Sequence, residues 1–205
     1  MKSPDYWVIA CRELSRNDPV MAGLIRAHPG TALKSRGNAF ETLLRAIVGQ
    51  QISVKAADAV WTRVCSATPI KPEEISALSV ETLRTCGLSR MKAEYAIDLA
   101  AHFSEGRIRP RRWARMADED IIAELIDVRG IGRWTAEMFL IFHLLRPNVW
   151  PVDDLGLLKA VGLHYGNGGK ITPRIANELG ERWQPWRTVA TWYLWRSLDP
   201  VAVAY

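Results

Sequence analysis

The apolar residues of this chain repeat with a helical period along almost its whole length, and this constrains the fold more than any other feature. One helical face is marked by apolar residues at i, i+3, i+4, i+7 and i+8, namely Phe40, Leu43, Leu44, Ile47 and Val48. Other helix starts are marked by capping or acidic residues, at Ser53, Asp118 and Thr172. Sustained alternation with a period of two residues is missing, so the sequence predicts an all-α chain.

The composition is that of a folded protein that suits an anionic partner. Of the 205 residues, 48% are hydrophobic and 24% are charged, which is enough apolar material for a sizeable core. The net charge of +5 favours a polyanionic binding partner but does not identify which one. The N-terminus lacks the apolar core of a signal peptide, and no apolar run reaches membrane-spanning length. We therefore expect a cytoplasmic protein without a membrane partner.

The cysteines and histidines do not predict a metal centre. Cys11, Cys65 and Cys86 are scattered and form no C-x-x-C pair, so neither a disulfide framework nor a zinc or iron–sulfur cluster is expected. The histidines show no metal-ligand spacing. A reducing compartment fits both observations.

A glycine hairpin lies near the middle of the chain. Gly130 and Gly132 stand at alternate positions, and a helical pattern starts at Arg133. Glycines let backbone N–H groups converge and a helix N-terminus adds positive potential, so the hairpin predicts a phosphate-binding site. Two antiparallel helices are also commonly joined in this way, so the hairpin alone is weak evidence.

An acidic pair, Asp153-Asp154, follows the hairpin. Asp154 stands 22 residues after Gly132 (154 − 132 = 22), which leaves room for a helix of about a dozen residues and a returning loop. A carboxylate can therefore come back close to a nucleic acid bound at the hairpin. Helix capping is the alternative role for either acid.

Three segments carry a resemblance to a known family. The hairpin Gly130–Ala136, the acidic segment Pro151–Asp154 and the closing segment from Trp183 to Trp195 resemble those of the helix-hairpin-helix DNA glycosylases, and among them the 3-methyladenine DNA glycosylase II type. The segment Ala39–Val54 is similar to the family's loop that enters the minor groove. The resemblance covers nearly the whole compact chain.

The resemblance implies a two-lobed, all-α HhH-GPD fold with the active-site cleft between the lobes. We expect one lobe to span residues 36–145 and to contain the hairpin, and the other to combine residues 1–35 with residues 146–205. Larger bacterial relatives carry an extra N-terminal β-rich domain, and with 39 residues before Phe40 we do not expect that domain here.

The resemblance also implies a reaction, the hydrolysis of the N-glycosidic bond of an alkylated purine in base excision repair. Asp154 would be the catalytic carboxylate, and Asp153 the N-cap of the next helix. Relatives that also cut the strand place a Schiff-base lysine at the second residue after the last hairpin glycine, where this chain has Trp134. We therefore expect a monofunctional enzyme without lyase activity.

Tryptophan is abundant, with 9 residues, and an indole face suits a cationic base. Trp134 and Trp195 match base-pocket positions of the family, and Trp192 and Met138 are candidate pocket walls.

There are departures from the family pattern: Met138 replaces a tyrosine of some relatives, Leu155 follows the aspartate where an aromatic can occur, and Arg129 replaces the usual hairpin proline. These departures bear on which damaged base is preferred.

The expected DNA contacts come from two loops. At the hairpin, Gly130, Gly132 and Thr135 would bind backbone phosphate, and Arg133 would add charge. The residues expected to touch DNA on the minor-groove loop are Gln50, Gln51 and Ser53, and Ser53 also fits a helix N-cap. No cofactor or metal is expected, except that a structural monovalent cation could sit on hairpin carbonyls near Val128 and Ile131, as in relatives.

Some alternatives remain open. The basic stretch Arg107–Arg112 fits either a DNA-facing loop or a solvated linker. The expected partner is double-stranded DNA containing alkylated bases, bound by a monomer. A glycosylase for mismatched uracil or thymine, or for oxidised guanine, is the enzymatic alternative, and a helix-hairpin-helix module that binds DNA without chemistry is the other.

Overall fold

The computed structural model describes residues 4–30, 32–35 and 37–198. Within these ranges the chain is helical and contains no strand, so the all-α prediction is confirmed. Residues 1–3, 36 and 199–205, which stand at the ends of the two predicted lobes, lie outside the described residues.

The helices in chain order are α1 (Trp7–Asn17), α2 (Pro19–Ala27), α3 (Ala39–Gly49), α4 (Val54–Ala67), α5 (Pro72–Ser76), α6 (Val80–Thr85), α7 (Arg90–Ser104), α8 (Pro110–Trp113), α9 (Asp118–Ile126), α10 (Arg133–Phe142), α11 (Leu155–Tyr165), α12 (Pro173–Gly180), the 3₁₀ turn Glu181–Trp183 and α13 (Arg187–Leu198).

The chain divides into two compact units. Residues Arg36–Phe139 form one, called here the hairpin unit, and Met1–Ser35 with Leu140–Tyr205 form the other, called here the terminal unit. The division falls inside α10, whereas the sequence placed it after residue 145. Helix α10 ends at Phe142, and Leu145 in the segment that follows adopts a left-handed backbone conformation with φ of 55°.

Helix α7 is the centre of the hairpin unit. It packs against α3, α5 and α6, and its buried face is made largely of alanine, which lets neighbouring helices approach closely. The predicted apolar stripe of α3 is buried, and Phe40 meets Phe103 of α7 edge to face with ring centroids 5.3 Å apart. Serine N-caps start α4, α6 and α7, as the side chains of Ser53, Ser79 and Ser89 accept backbone N–H groups.

Helix α13 is the core element of the terminal unit. Its residues from Thr188 to Leu194 are all buried, and it packs against α1, α2 and α11. The buried carboxylate of Asp18 ties the unit together, because it caps α2 and also accepts hydrogen bonds from the Tyr165 hydroxyl and the Trp183 indole, each at 3.0 Å. A buried charge is tolerated where its lone pairs are satisfied in this way.

Candidate nucleic-acid interface and carboxylate site

The hairpin between α9 and α10 requires glycine at its first glycine position. Gly130 has φ of 86°, in the left-handed region that side chains avoid. A Cβ atom at this position would also collide with the ring of Tyr95 on α7. The turn is closed by the N–H of Ile131, which donates to the Val128 carbonyl at 3.1 Å.

Gly132 has a different role. Its φ is not positive, and a Cβ atom there would meet no atom of the described residues within 4 Å. Its carbonyl accepts the first hydrogen bond of α10, from the N–H of Ala136 at 3.0 Å. The fold of the hairpin unit therefore leaves the space beside Gly132 open at the positive end of the helix, where an anion can approach. Thr135, in the first turn, is half-buried.

Arg129 fastens the hairpin to α7. Its N–H donates to the Asp98 carboxylate at 2.8 Å, and its guanidinium lies 3.2 Å from the Glu94 carboxylate and 6.0 Å from the centre of the Tyr95 ring. Proline has no N–H and could not make the bond to Asp98. The departure from the family's proline thus replaces a rigid residue with contacts to a neighbouring helix.

Arg133 is paired with two carboxylates. It makes a bidentate pair with Glu119 of α9, at 2.6 and 2.9 Å, and its Nε lies 3.1 Å from Glu137, which is 4% exposed. The hydrogen bond from Arg133 lowers the pKa of Glu119, and Glu119 in turn raises the pKa of Arg133. The charge that Arg133 was expected to offer to phosphate is therefore neutralised here, and its role in DNA binding stays a prediction.

The loop after α3 is held by the hairpin and by α7. The Gln50 side-chain amide donates to the Gly130 carbonyl at 2.8 Å. The ammonium group of Lys92 donates to the Val48 carbonyl at 2.8 Å and to the Gln50 carbonyl at 2.5 Å, and its burial lowers the pKa of Lys92. Gln50 therefore acts first as a link within the protein.

The next residues of this loop are the ones that face solvent. Gln51 is exposed and has φ of 56°, which is uncommon for a residue other than glycine. Ile52 is 41% exposed. The hydroxyl of Ser53 caps α4 by accepting the N–H of Ala56 at 3.3 Å, so its N-cap prediction is confirmed and its DNA contact stays a prediction.

Two predicted pocket residues of α10 have opposite environments. Trp134, in the first turn, is 40% exposed despite its large apolar ring. Met138, one turn later, is only 7% exposed and belongs to the buried face of the helix. Of the two, Trp134 is the side chain that the hairpin unit presents to solvent.

In the terminal unit, Asp154 is the N-cap of α11. Its Oδ1 accepts the N–H of Leu157 at 2.7 Å and the indole N–H of Trp195 at 2.8 Å. The prediction that Asp153 caps this helix is wrong, because the backbone enters the helix one residue later; Asp153 is exposed. The cap and the indole orient the Asp154 carboxylate from two directions.

Trp195 stands in an aromatic stack. Its ring lies parallel to that of Phe142, with centroids 5.9 Å apart and planes 9° apart. Trp192 is 7% exposed and meets both Phe142 and Trp7 edge to face, with centroids 6.4 Å away in each case. Within the terminal unit, Trp195 is therefore half-buried beside the carboxylate, whereas Trp192 is a core residue.

Gly156 is a site residue that sequence reasoning missed. A Cβ atom at this position would lie 3.1 Å from the Asp154 Oδ1 and 3.5 Å from the Trp195 indole nitrogen. Glycine thus makes room for the bond between those two side chains. Lys92, Tyr95 and Asp98 were missed in the same way, because they reach the hairpin or the loop from another helix and carry no local motif.

The described residues contain no group of three or more His, Cys, Asp or Glu side chains that could hold a metal ion. None of the helices that the structure describes is long and apolar enough to cross a membrane.

The Val128 carbonyl, which was expected near a monovalent cation, accepts a hydrogen bond from the N–H of Ile131, and the Gly130 carbonyl accepts one from the Gln50 side-chain amide. A carbonyl oxygen has a second lone pair, so the cation site stays a prediction.

Known proteins match the chain over most of its length. The family model described as HhH-GPD superfamily base excision DNA repair protein matches residues 44–185. DNA-3-methyladenine glycosylase 1 of Schizosaccharomyces pombe is 36% identical over 77% of this chain and 72% of its own length. Two Bacillus subtilis relatives are 32% and 28% identical over 87% and 91% of this chain, which spans 66% of the length of each. The second of these is a DNA-3-methyladenine glycosylase.

Solved structures give the same result. The DNA-3-methyladenine glycosidase of Bacillus halodurans superposes with a TM-score of 0.86 at 32% identity, over 97% of this chain and 92% of that chain. The Schizosaccharomyces pombe 3-methyladenine DNA glycosylase in complex with abasic DNA superposes with a TM-score of 0.76 at 32% identity, over 95% and 99% of the two chains. The resemblance predicted from the sequence is thereby confirmed.

Proposed function

Because the chain belongs to the HhH-GPD superfamily of base excision DNA repair proteins, we propose that it is a monofunctional DNA glycosylase that excises alkylated purines. The leading substrates are 3-methyladenine and 7-methylguanine in double-stranded DNA, and the enzyme acts as a monomer without a cofactor. The observation that carries the proposal is the carboxylate of Asp154, which is held at Oδ1 by the N–H of Leu157 and by the indole of Trp195.

The carboxylate suits the chemistry of this reaction. The enzyme takes the damaged nucleotide out of the base stack before it acts. A purine alkylated at N3 or N7 already carries positive charge, so it leaves as a neutral base when the C1′–N bond breaks, and positive charge develops on the sugar. Asp154 stabilises that charge and accepts a proton from water, whose oxygen forms the new bond to C1′.

The absence of lyase activity follows from Trp134. A glycosylase that also cuts the strand uses an amine to form a Schiff base with C1′. At the position where the resembling lyases carry that lysine, this chain has an indole, which cannot act as the amine nucleophile. Water is therefore the nucleophile, and the products are free base and an abasic site. A covalent DNA adduct trapped by borohydride would contradict this part of the proposal.

The preference for alkylated purines rests on the exposed indoles. Trp134 is 40% exposed, and Trp195 presents a half-buried ring that is stacked on Phe142. Electron-rich faces of this kind attract a cationic base by stacking and cation–π interaction. A neutral mismatched base would instead be selected by hydrogen-bonding side chains, because leaving such groups unpaired rejects the wrong base.

The DNA backbone would be bound at the hairpin. Gly132 leaves open space at the N-terminus of α10, where main-chain N–H groups and the helix dipole favour phosphate. Thr135 adds a hydroxyl in the first helical turn. Gln51 and its neighbour Ile52 on the loop after α3 are exposed and suited to fill the place of the flipped nucleotide.

The test is a panel of duplexes that each carry one defined lesion, scored for abasic sites after alkaline cleavage. We expect release of 3-methyladenine or 7-methylguanine by the wild-type protein. Asp154→Asn should slow the single-turnover rate by roughly 10²- to 10⁴-fold while preserving the fold, because asparagine caps helices as well as aspartate does. Asp153→Asn is the matched control and should remain close to wild type.

The same panel separates the rival functions. Release of mismatched uracil, mismatched thymine or oxidised guanine without release of any alkylated base would identify the enzymatic alternative. Binding to every duplex without release of any base would identify a DNA-binding module without chemistry. Excision by Asp154→Asn at the wild-type rate would remove Asp154 from the catalytic role.

A further inference from the structure

The segment from Arg107 to Arg115 is the most strongly basic part of the hairpin unit's sequence. It contains five arginines and no acidic residue, and all five arginines are exposed. Arg107 is paired with Glu105 at 2.9 Å, and the Nε of Arg109 donates to the Gly106 carbonyl at 2.6 Å. The other arginines, Arg111, Arg112 and Arg115, are called here the arginine patch.

The side chains of the arginine patch make no ion pair or hydrogen bond with any residue that the structure describes. This separates them from most other arginines at the surface of the hairpin unit, such as Arg45, Arg84 and Arg90, each of which pairs with a carboxylate. The charge of the arginine patch is therefore not compensated by any residue in the described part of the chain.

Helix α8, which carries the arginine patch together with the turn that follows it, is anchored to the two helices of the hairpin. Trp113 is 1% exposed, its indole N–H donates to Glu124 of α9 at 2.7 Å, and its ring meets Phe139 of α10 edge to face at 5.3 Å. The patch therefore sits on the same scaffold as the hairpin. A fixed backbone lowers the entropic cost of using these side chains to bind a partner.

The hairpin itself has little free positive charge to offer. Arg129 pairs with Glu94, and Arg133 pairs with Glu119 and Glu137. Backbone N–H groups can position a phosphate at close range, but attraction over longer distances requires uncompensated charge. The arginine patch supplies such charge on the hairpin's own scaffold.

We propose that the arginine patch binds the phosphate backbone of double-stranded DNA away from the damaged nucleotide, and so gives the protein its affinity for undamaged duplex. The proposal rests on the proposed function, because it assumes a DNA substrate. Binding releases counterions from the duplex and is independent of sequence. It keeps the protein on DNA while the hairpin and the loop after α3 sample successive nucleotides.

The test compares two triple variants in binding to an undamaged 20-base-pair duplex at several salt concentrations. Arg111→Gln/Arg112→Gln/Arg115→Gln removes the arginine patch, and Lys71→Gln/Arg84→Gln/Arg174→Gln removes the same total charge elsewhere. A protein–phosphate contact contributes about 0.9 to the slope of log K against log salt, so the patch variant should lose a slope of roughly 2 to 3. The control variant should lose less than about 1, through its reduced net charge alone.

A second measurement asks whether the patch belongs to the lesion site. At saturating protein, single-turnover excision by the patch variant should equal that of wild type, because the patch touches no reacting atom. Equal losses of slope in the two triple variants, or a wild-type protein that does not bind undamaged duplex, would overturn the proposal. The proposal would also be overturned if the patch variant kept its affinity for duplex DNA and lost affinity only for single-stranded RNA, because the patch would then bind a different polyanion.

The outcomes also distinguish this proposal from the proposed function. If wild type binds undamaged duplex through the patch but releases no base from any lesion, the patch stands and the glycosylase assignment fails. If base is released while the patch variant keeps the full salt slope, the glycosylase assignment is supported and the proposal for the arginine patch fails. Should the triple variant fold poorly, Arg111→Gln/Arg115→Gln should lose a slope of roughly 1 to 2 in the same assay.

Discussion

The side-chain amide of Gln50 donates a hydrogen bond to the carbonyl of Gly130, with the nitrogen and oxygen 2.8 Å apart. This bond joins the loop after α3 to the helix-hairpin-helix element, so two surfaces that we propose to contact DNA are coupled inside the hairpin unit. The backbone carbonyl of Gln50 is held in addition by Lys92. We therefore expect Gln50 to contribute to DNA binding by positioning other residues.

Replacing Gln50 by alanine should release the loop from the hairpin. We expect the unfolding free energy to fall by about 1 kcal/mol, the usual net contribution of one hydrogen bond, and the affinity for lesion-containing duplex to fall with it. Gln51→Ala is the control for stability, because its exposed side chain makes no such bond with any described residue. Urea denaturation and duplex titration of both variants measure the two effects. Equal stability losses in the two variants would contradict the positioning role.

The two hairpin glycines should respond differently to alanine. Gly130→Ala adds a methyl group in a left-handed conformation and against the Tyr95 ring, so it should cost roughly 2 to 4 kcal/mol in unfolding free energy. Gly132→Ala meets no atom within 4 Å and should cost less than about 1 kcal/mol. Its effect should be on duplex affinity, because the methyl group occupies the space open to phosphate. If Gly132→Ala bound duplex with unchanged affinity, phosphate would not bind beside Gly132.

Trp195→Phe tests the hydrogen bond to the Asp154 carboxylate, which we propose to be catalytic. Phenylalanine keeps an aromatic face against Phe142 but has no N–H to donate to Asp154. Hydrogen bonds to charged groups contribute about 1.5 to 3 kcal/mol, so single-turnover excision should slow by roughly tenfold or more. Trp61→Phe in the hairpin unit is the control for a smaller ring without a lost bond. A similar slowing in both variants would mean that the indole N–H does not position Asp154.

Gly156→Ala should disturb the same pair without removing either member. The added Cβ lies 3.1 Å from the Asp154 Oδ1, closer than an ordinary contact, so the carboxylate or the indole must shift. We expect excision to slow by more than the loss in stability explains, in a comparison of rate constants with denaturation midpoints. Gly23→Ala, in helix α2 with nothing within 4 Å, is the matched control and should leave excision unchanged.

Glu119 should restrain Arg133 in a pH-dependent way. The hydrogen bond from Arg133 lowers the pKa of Glu119, so the pair stabilises the fold above the unfolded pKa of about 4.3 and loses that contribution as pH falls through the lower folded value. Glu119→Gln should therefore reduce the difference between the unfolding free energy at neutral pH and that at about pH 3. Its exposed position keeps the effect small.

The same variant tests whether Arg133 can reach phosphate. With one carboxylate removed, Arg133 at neutral pH should bind duplex more tightly, and the salt slope should steepen by about 0.9. Salt titrations of Glu119→Gln and of Glu119→Gln/Arg133→Gln measure this, since the second substitution should cancel the gain. An unchanged slope in Glu119→Gln would leave Arg133 a purely structural residue that balances the buried Glu137.

Much of the fold was predictable from local patterns. The stripe on α3, the serine caps of α4 and α7 and the glycine at the hairpin turn act within a few residues of their own position, so their signals are readable along the chain. The end of α10 at Phe142 and the left-handed conformation of Leu145 after it were not predicted from local patterns. The N-cap of α11 was assigned to the wrong aspartate, because two adjacent acids fit the same pattern.

The sequence by itself determined the all-α fold class, the glycine hairpin, the tryptophan in place of a lysine and the aspartate that follows the hairpin, since each depends on residue type and spacing. Only the tertiary structure decided which charges and donors are already used. Arg133 is neutralised by two carboxylates, Gln50 is bound to Gly130, and the arginine patch has no partner among the residues that the structure describes. The reason is physical: a side chain's availability depends on partners brought to it by helices distant in sequence, and no local pattern records them.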